Sequence, residues 1–391
     1  MIAAFTFWLS AAIVVWVYVG YPCTLWVLSR VRAQPRTRAP LLVPVSVIVA
    51  AHNEEPIIGH KVENLHGSEY PQALVEVVVV SDGSDDRTVE RARSAGADVV
   101  IDLPRLGKLR ALNEGVARSA GEVLVFTDAD SMLAPATLHE LVSNFADPRV
   151  GAVAANEVHL AERGGGVSSG EGMYWRYEQK IKLLEDRIGS AVSACGRLYA
   201  MRRAVFTPSE FTAGTDDFVV STQAIAAGQR LAFDQHATVF VQAPSEGGTE
   251  LRRKVRMMNR GLRAAFALAT SLPRSRVMYL LQLVFHKILR RFVAFFLAAM
   301  FVSALVLVAQ GHTRWWFALG PQLLFYALAT AGAIADRRGR RVPKLLWIPY
   351  YFCLSNLAAA LAVLSVLRGR RYELWEPALM RGSSAVPEAT R

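Results

Sequence analysis

"VLVFTDADSM", residues 123–132, sets four apolar residues ahead of Thr127 and then two carboxylates, Asp128 and Asp130, with one alanine between them. A β-branched and aromatic run that stops at a charged pair predicts a buried strand whose carboxyl end carries chemistry. The same shape recurs upstream. "VPVSVIVAA" (43–51), "LVEVVVVSD" (74–82), "ADVVIDL" (97–103) and "EVLVFTD" (122–128) read as strands, with helix-like stretches at 55–66, 85–95 and 108–119 between them. Near-continuous apolar strands alternating with helices predict an α/β fold with a parallel sheet covered on both faces. Such sheets bind ligands beyond the carboxyl ends of their strands.

The residues at those ends are acidic: "HNEE" (52–55), "SDGSDDRT" (81–88) and "TDADSM" (127–132). Three acidic clusters on one rim repel one another unless a cation compensates them. Mg2+ or Mn2+ has the required hardness for oxygen ligands and usually enters such sites with substrate phosphates attached. Asp128 and Asp130 are therefore expected to hold a metal-bound diphosphate. Each motif also has a plainer reading, since a strand-terminal Asp often caps the next helix and Asp-Gly-Ser favours turns. In "LGKLRALNEGV" (106–116), Lys108 opens a helix whose N–H groups and dipole suit a phosphate. A solvated lysine at a helix start is the alternative there.

The chain has 391 residues, 52% of them hydrophobic, with a formal net charge of +11. The apolar excess lies at the two ends. Residues 2–19 contain no charge and are long enough to span a membrane, and Met1–Gly20 lacks the basic start of a signal peptide. The expectation is an N-terminal anchor (1–30) whose basic flank, Arg30, Arg32, Arg36 and Arg38, is cytoplasmic. It is followed by a cytoplasmic domain (40–245), interfacial amphipathic helices (246–291), membrane segments (292–368) and a polar tail (369–391). Residues 277–310 are interrupted by His286, Lys287, Arg290 and Arg291, so the first half reads as interfacial and the second as a span, with further candidates at 315–335 and 345–367. The basic stretches "DRRGRRVPK" (336–344) and "RGRR" (368–371) both ask to be cytoplasmic although one apolar segment separates them. Either that last segment is re-entrant or interfacial, or the charge rule fails at Arg368. Juxtamembrane arginines point to anionic lipid rather than nucleic acid. Cys23, Cys195 and Cys353 make neither a disulfide framework nor a zinc spacing.

"VPVSVIVAAHNEE", "VVVVSDGSDDRT", "GKLRALNEGV", "VLVFTDADS", "ACGRLYAMRRAVF" and "GTDDFVVSTQAIAAG" occur in this order between residues 43 and 228. The series resembles the family 2 glycosyltransferases, over roughly residues 43–263, and the flanking apolar segments resemble the cellulose, hyaluronan and poly-N-acetylglucosamine synthase branch. The resemblance implies a Rossmann-like nucleotide-sugar (GT-A type) domain with N- and C-terminal transmembrane helices, in an inverting, metal-dependent enzyme of the cytoplasmic membrane. It gives Asp82 the nucleobase, puts Asn53 and Glu54 near the nucleoside and Lys108 near the diphosphate or nucleotide, makes Asp130 the direct metal ligand and turns Asp128 toward the ribose or sugar. Asp217 becomes the general base, with Asp216 beside it where the family usually has Glu. Processive members carry a tryptophan motif for which "ELRRKVRMMNRGLRA" (250–264) has no tryptophan. Arg253, Arg256 and Arg260 recur there at helical spacing and suit either pyrophosphate or lipid headgroups. The donor implied is a nucleotide sugar, UDP-linked by preference, and the acceptor a polysaccharide or lipid-linked saccharide. "GMYWRYEQKIKLL" (172–184) offers a possible aromatic platform in Tyr174, Trp175 and Tyr177, or helix packing. Cys195 reads as a small buried side chain. A non-catalytic transport or assembly subunit on the same fold is the competing class, and it predicts loss of Asp82, Asp130 or Asp217.

Overall fold

Valine and isoleucine fill the first strands because both faces are covered: all of Val45–Ala51 (β1) and the last six residues of Val75–Asp82 (β2) are buried. β1 pairs with β2, Val99–Leu103 (β3) pairs outside β2, Val123–Asp128 (β4) pairs on the other side of β1, and these three pairings are parallel. The computed structural model describes residues 1–160, 168–211, 213–242, 250–340 and 342–372. Most of the polar tail and the side chain of Tyr174 lie outside the described residues.

The sheet is not parallel throughout, which corrects the expectation. Ser131–Leu133 (β5), Val150–Leu160 (β6), Leu198–Arg202 (β7) and Arg230–Gln242 (β8) extend it to eight strands in the order β3-β2-β1-β4-β7-β6-β8-β5. β7 runs antiparallel to both β4 and β6, whereas β6 and β8 are parallel. Thr127 pairs with Leu198, so the residue that precedes β7 lies at the carboxyl end of β4. Because β6 runs against β7, its own carboxyl end, with Glu157 and His159, reaches that rim too. The antiparallel half thus delivers side chains to the edge already defined by the parallel half.

Helices fix this edge from both faces. Ile58, Val62 and Leu65 of the helix Glu55–His66 share one face and join the core with Val47, Val49, Val77 and Val79. The helix Lys108–Ala117 lies so close to the sheet that a Cβ on Gly115 would stand 2.7 Å from Ile48 Cγ2. That approach sets Lys108, the first residue of the helix, over the rim.

The chain forms two units: the sheet unit just described, Arg32–Leu160 with Lys182–Ser245, and a helical unit of Met1–Val31, Ala161–Ile181 and Glu246–Arg371. The helix Ser168–Arg187 is divided between them near Ile181, so part of the expected 40–245 domain belongs with the helical unit. Among the described residues, four helical segments are long and apolar enough to cross a membrane: Ile2–Val31, Val277–Ala309, Thr313–Arg337 and Lys344–Leu367. Lys344–Leu367 is one continuous helix. If it spans, Arg368, Arg370 and Arg371 come to lie on the face opposite the basic loop that precedes it. In the helical unit, Tyr177 donates its hydroxyl to the Tyr18 carbonyl at 2.9 Å, and the Arg290 guanidinium lies 5.7 Å from both tyrosine rings. Glu178 pairs with His286 and Arg290. Tyr177 is therefore a packing residue there rather than a sugar platform.

Two of the four flanking arginines have other work than lipid contact. Arg36 binds Asp186, Asn144 and the Phe233 carbonyl, and Arg38 binds Glu140, Ser143 and Asp234, all within the sheet unit. They secure the first residues of that unit to its sheet.

Candidate active site

Two acidic motifs at the rim are partly architectural. Asp82 is 1% exposed, and its carboxylate accepts the backbone N–H of Leu106 at 2.7 Å and of Gly107 at 2.9 Å. It holds the loop that launches the helix of Lys108. Gly83, at φ +68°, is packed against Arg105 so closely that a Cβ would lie 2.7 Å from its nitrogen. Asp86 accepts from Glu55 N and Thr88 N, joining the "SDGSDDRT" turn to the helix that follows β1. Asn53, at φ +56°, donates its N–H to Ser84 and accepts from Asp85 N. The side chain of Glu54 is left to face the other carboxylates.

The expected catalytic carboxylates do come together. Lys108 Nζ lies 2.5 Å from Asp128 Oδ1 and 2.9 Å from Asp216 Oδ2, so one buried ammonium joins the end of β4 to the helix Asp216–Ser221. Against the cost of burial, these two carboxylates hold the Lys108 pKa above its usual value. Burial opposes the charge on Asp128 as well, yet Lys108 and Arg197 keep it below the ordinary carboxylate range. Asp217 is pushed upward by burial and then by the charge of Asp216. A carboxyl raised in this way is a better proton acceptor near neutral pH than a solvated one. Gly196 packs beside it, where a Cβ would stand 3.7 Å from Asp217 Cγ.

Several residues of the rim were not expected. Arg197, the residue ahead of β7, pairs with Asp130 and stands 3.5 Å from Asp128 Oδ2. Lys61, fully buried on the helix Glu55–His66, donates to Thr127 Oγ1 at 3.0 Å and to the Ser131 carbonyl. Thr127 in turn donates to the Arg197 carbonyl at 2.9 Å, and Asn64, one turn beyond Lys61, brackets Leu133 with hydrogen bonds of 2.8 and 3.0 Å. The Asp128–Asp130 turn is thereby gripped from below at both ends. Glu157 receives the Cys195 thiol and lies 3.0 Å from His159 Nε2, forming a polar layer behind Arg197. Cys195 is half-buried rather than fully buried as expected, and desolvation followed by the Glu157 charge pushes its thiol upward, the opposite of an activated nucleophile. The hydroxyl of buried Tyr199 has no hydrogen-bond partner among the described residues. Its pKa is raised by burial and by Asp216, Asp217 and Asp128, so it too faces the carboxylate cluster. In the sequence, the only signal for Arg197 is a charged residue between a glycine and the strand "LYAMR".

Negative charge still exceeds what these cations settle. Burial, then Asp130, Asp128 and Asp86, raise the Glu54 pKa to about 8. Among the described residues no three His, Cys, Asp or Glu side chains form a ready-made metal cage. Asp128 and Asp130 offer a hard ion two carboxylates and leave its other positions to water and phosphate oxygens, the donor set that suits Mg2+ or Mn2+. Arg253, Arg256 and Arg260 lie on the helix Glu250–Ser271 of the helical unit, where Arg260 is buried.

Known proteins are similar to this chain in fold and sequence. A mannosyltransferase from Pyrobaculum calidifontis, solved with GDP-Man and Mn2+, has the same fold at a TM-score of 0.70 with 23% identity, covering 93% of this chain and all of that one. The β-monoglucosyldiacylglycerol synthase of Synechocystis sp. is 32% identical over 197 residues, which are 45% of this chain and 41% of that protein. The 4,4'-diaponeurosporenoate glycosyltransferase of Staphylococcus aureus is 35% identical over 130 residues, 32% of this chain and 34% of that protein. The chain thus spans less than half the length of these two curated relatives. The model of the glycosyltransferase like family 2 matches residues 43–264, which takes in the whole rim from Asn53 to Asp217. The protein belongs to the family 2 glycosyltransferases and carries their GT-A fold.

Proposed function

We propose that this protein moves a sugar from a nucleoside-diphosphate sugar to an acceptor hydroxyl presented at the membrane, in one inverting displacement. The observation that carries the reading is the single buried lysine, Lys108, shared by Asp128 on the donor side and by Asp216 beside Asp217. The acceptor oxygen forms a bond to the anomeric carbon as the bond from that carbon to the diphosphate breaks. Asp217 takes the hydroxyl proton. Asp130 and Asp128 would hold Mg2+ or Mn2+, which supplies positive charge to the departing diphosphate. Glu54 and Asn53 border the nucleoside, and Arg253, Arg256 and Arg260 are assigned to the diphosphate by resemblance.

A UDP-sugar is the preferred donor. The acceptor is lipid-linked rather than a long polysaccharide: helix 250–271 has no tryptophan, and two relatives are named for glucosyldiacylglycerol and diaponeurosporenoate. This reading sets the protein apart from the cellulose and hyaluronan synthase branch in product length. Four apolar helices and the basic flank at Arg30 and Arg32 support a cytoplasmic membrane protein with its sheet unit in the cytoplasm. The test is nucleotide release by detergent-solubilised protein with UDP-, GDP- and dTDP-sugars, Mn2+ and membrane lipids, alongside Asp217→Asn. Release that requires metal and is lost in the variant is expected. No release from any donor by the folded wild-type protein overturns the proposal in favour of a non-catalytic assembly subunit.

A further inference from the structure

Arg197 stands where a compensating cation is needed. Its guanidinium pairs with Asp130 and lies 3.5 Å from Asp128 Oδ2, and its side chain is 23% exposed. Its backbone is fixed: the carbonyl is tied to Thr127 and the next residue is already in β7. Glu157 lies near enough for its carboxylate to feel the Arg197 charge and is held, against burial, below the usual range by His159 and then Arg197. A divalent cation on Asp128 and Asp130 would meet this guanidinium as a like charge, whereas a diphosphate beside it would be a new anionic partner.

We propose that Arg197 is the resident counter-ion of the carboxylate pair: it holds Asp128 and Asp130 in place before loading and passes to Glu157 and the sugar diphosphate when metal and donor enter together. Arg197 is then a positioning residue that makes metal uptake depend on the nucleotide. The inference rests on the metal-dependent reading above, and the two fail differently.

The experiment is Mn2+ binding to the full-length protein in detergent, read from the electron paramagnetic resonance signal of unbound Mn2+, with and without UDP, GDP or dTDP. Wild type should bind Mn2+ weakly alone and about tenfold or more tighter with one of the nucleotides. Arg197→Met should bind Mn2+ alone about tenfold or more tighter than wild type and lose most of the nucleotide effect. Arg197→Lys, which keeps the charge, should stay near wild type. Glu157→Gln, which removes the receiving carboxylate, should shrink the nucleotide effect. Arg197→Met binding Mn2+ alone no tighter than wild type, while Arg197→Lys remains normal, overturns the inference and leaves the metal reading standing. Wild-type protein that takes up no Mn2+ with any of the nucleotides overturns both.

Discussion

Lys108→Met tests the centre of the site. The side chains of Lys108, Asp128 and Asp216 are 8%, 17% and 12% exposed, so the lysine is the main cation between two carboxylates with little access to water. Methionine fills similar volume but leaves both acids without it. Removing one partner of a buried ion pair costs about 3–5 kcal/mol, because the remaining charge is uncompensated. Arg197, 3.5 Å from the other Asp128 oxygen, covers only one of the two acids, so the full range applies. All tryptophans of the described chain lie in the helical unit, so their fluorescence would miss this event. Amide hydrogen exchange on peptides covering β1 and β4 reads the sheet unit directly. The slowest amides there should exchange about a hundred- to a few thousand-fold faster in Lys108→Met, at 1.36 kcal/mol per tenfold. Lys108→Met with Asp216→Asn should recover part of the loss, since one orphaned charge is gone. Exchange within about threefold of wild type in Lys108→Met would refute the argument that this lysine compensates two buried acids.

Asp217→Asn should lower turnover by about 10²–10⁴-fold while leaving nucleotide binding intact, as measured by initial rates and by calorimetric titration. Because the Asp216 charge raises Asp217, Asp216→Asn should let the base ionise at lower pH and move the acid limb of the rate profile down. An acid limb that moves up, or stays in place, would remove Asp216 from that role. Glu54 keeps its proton up to about pH 8, and a bound divalent cation favours the ionised form. Mn2+ uptake at pH 7 should therefore release up to about one proton, visible as a buffer-dependent binding enthalpy, and affinity should rise with pH until about 8 and then level. Glu54→Gln should abolish the release. Burial lowers the Lys61 pKa from 10.5 to about 7, so between these values the unfolded chain binds more protons than the folded one. Its contribution to stability should accordingly rise with pH from about 7 to 10.5, and Lys61→Met should flatten that part of the melting profile.

Strands buried on both faces announce themselves, which is why the first four were legible: observed bounds of 45–51, 75–82, 99–103 and 123–128 fall within two residues of those expected. The helix Glu55–His66 coincides with its expected range because its apolar residues recur at helical spacing. The antiparallel half was not legible. β8, "RLAFDQHATVFVQ", mixes polar and apolar residues without a steady period, and β6 ends in "NEVHL". The residues missed at the rim follow from this gap. Arg197 meets Asp130 across 67 positions of chain, and Lys61 meets Thr127 across 66, distances that only strand order and helix placement bridge. The loop-holding contacts of Asp82 went unread for a related reason. Its partners are backbone N–H groups of a loop 24 and 25 residues on, which no side-chain pattern records.

The charge balance of the rim explains why an ion and a diphosphate should arrive as a pair. Like charges on one edge do call for compensation, but the fold supplies much of it before any ligand enters. Lys108 serves Asp128 and Asp216, Arg197 serves Asp130, and Lys61 supports the turn from below. Compensation stops at Glu54 and Asp217, whose pKa values burial and neighbouring carboxylates push upward. A divalent cation alone would add two positive charges beside Arg197 and Lys108, while a sugar diphosphate alone would add two negative charges beside Asp128 and Asp130. Entering together they change the net charge of the rim little, and each relieves the repulsion the other would meet. On the proposed reading, a site balanced in this way would discriminate against the bare ion and against the metal-free donor. It would admit the metal–donor complex of the proposed transfer.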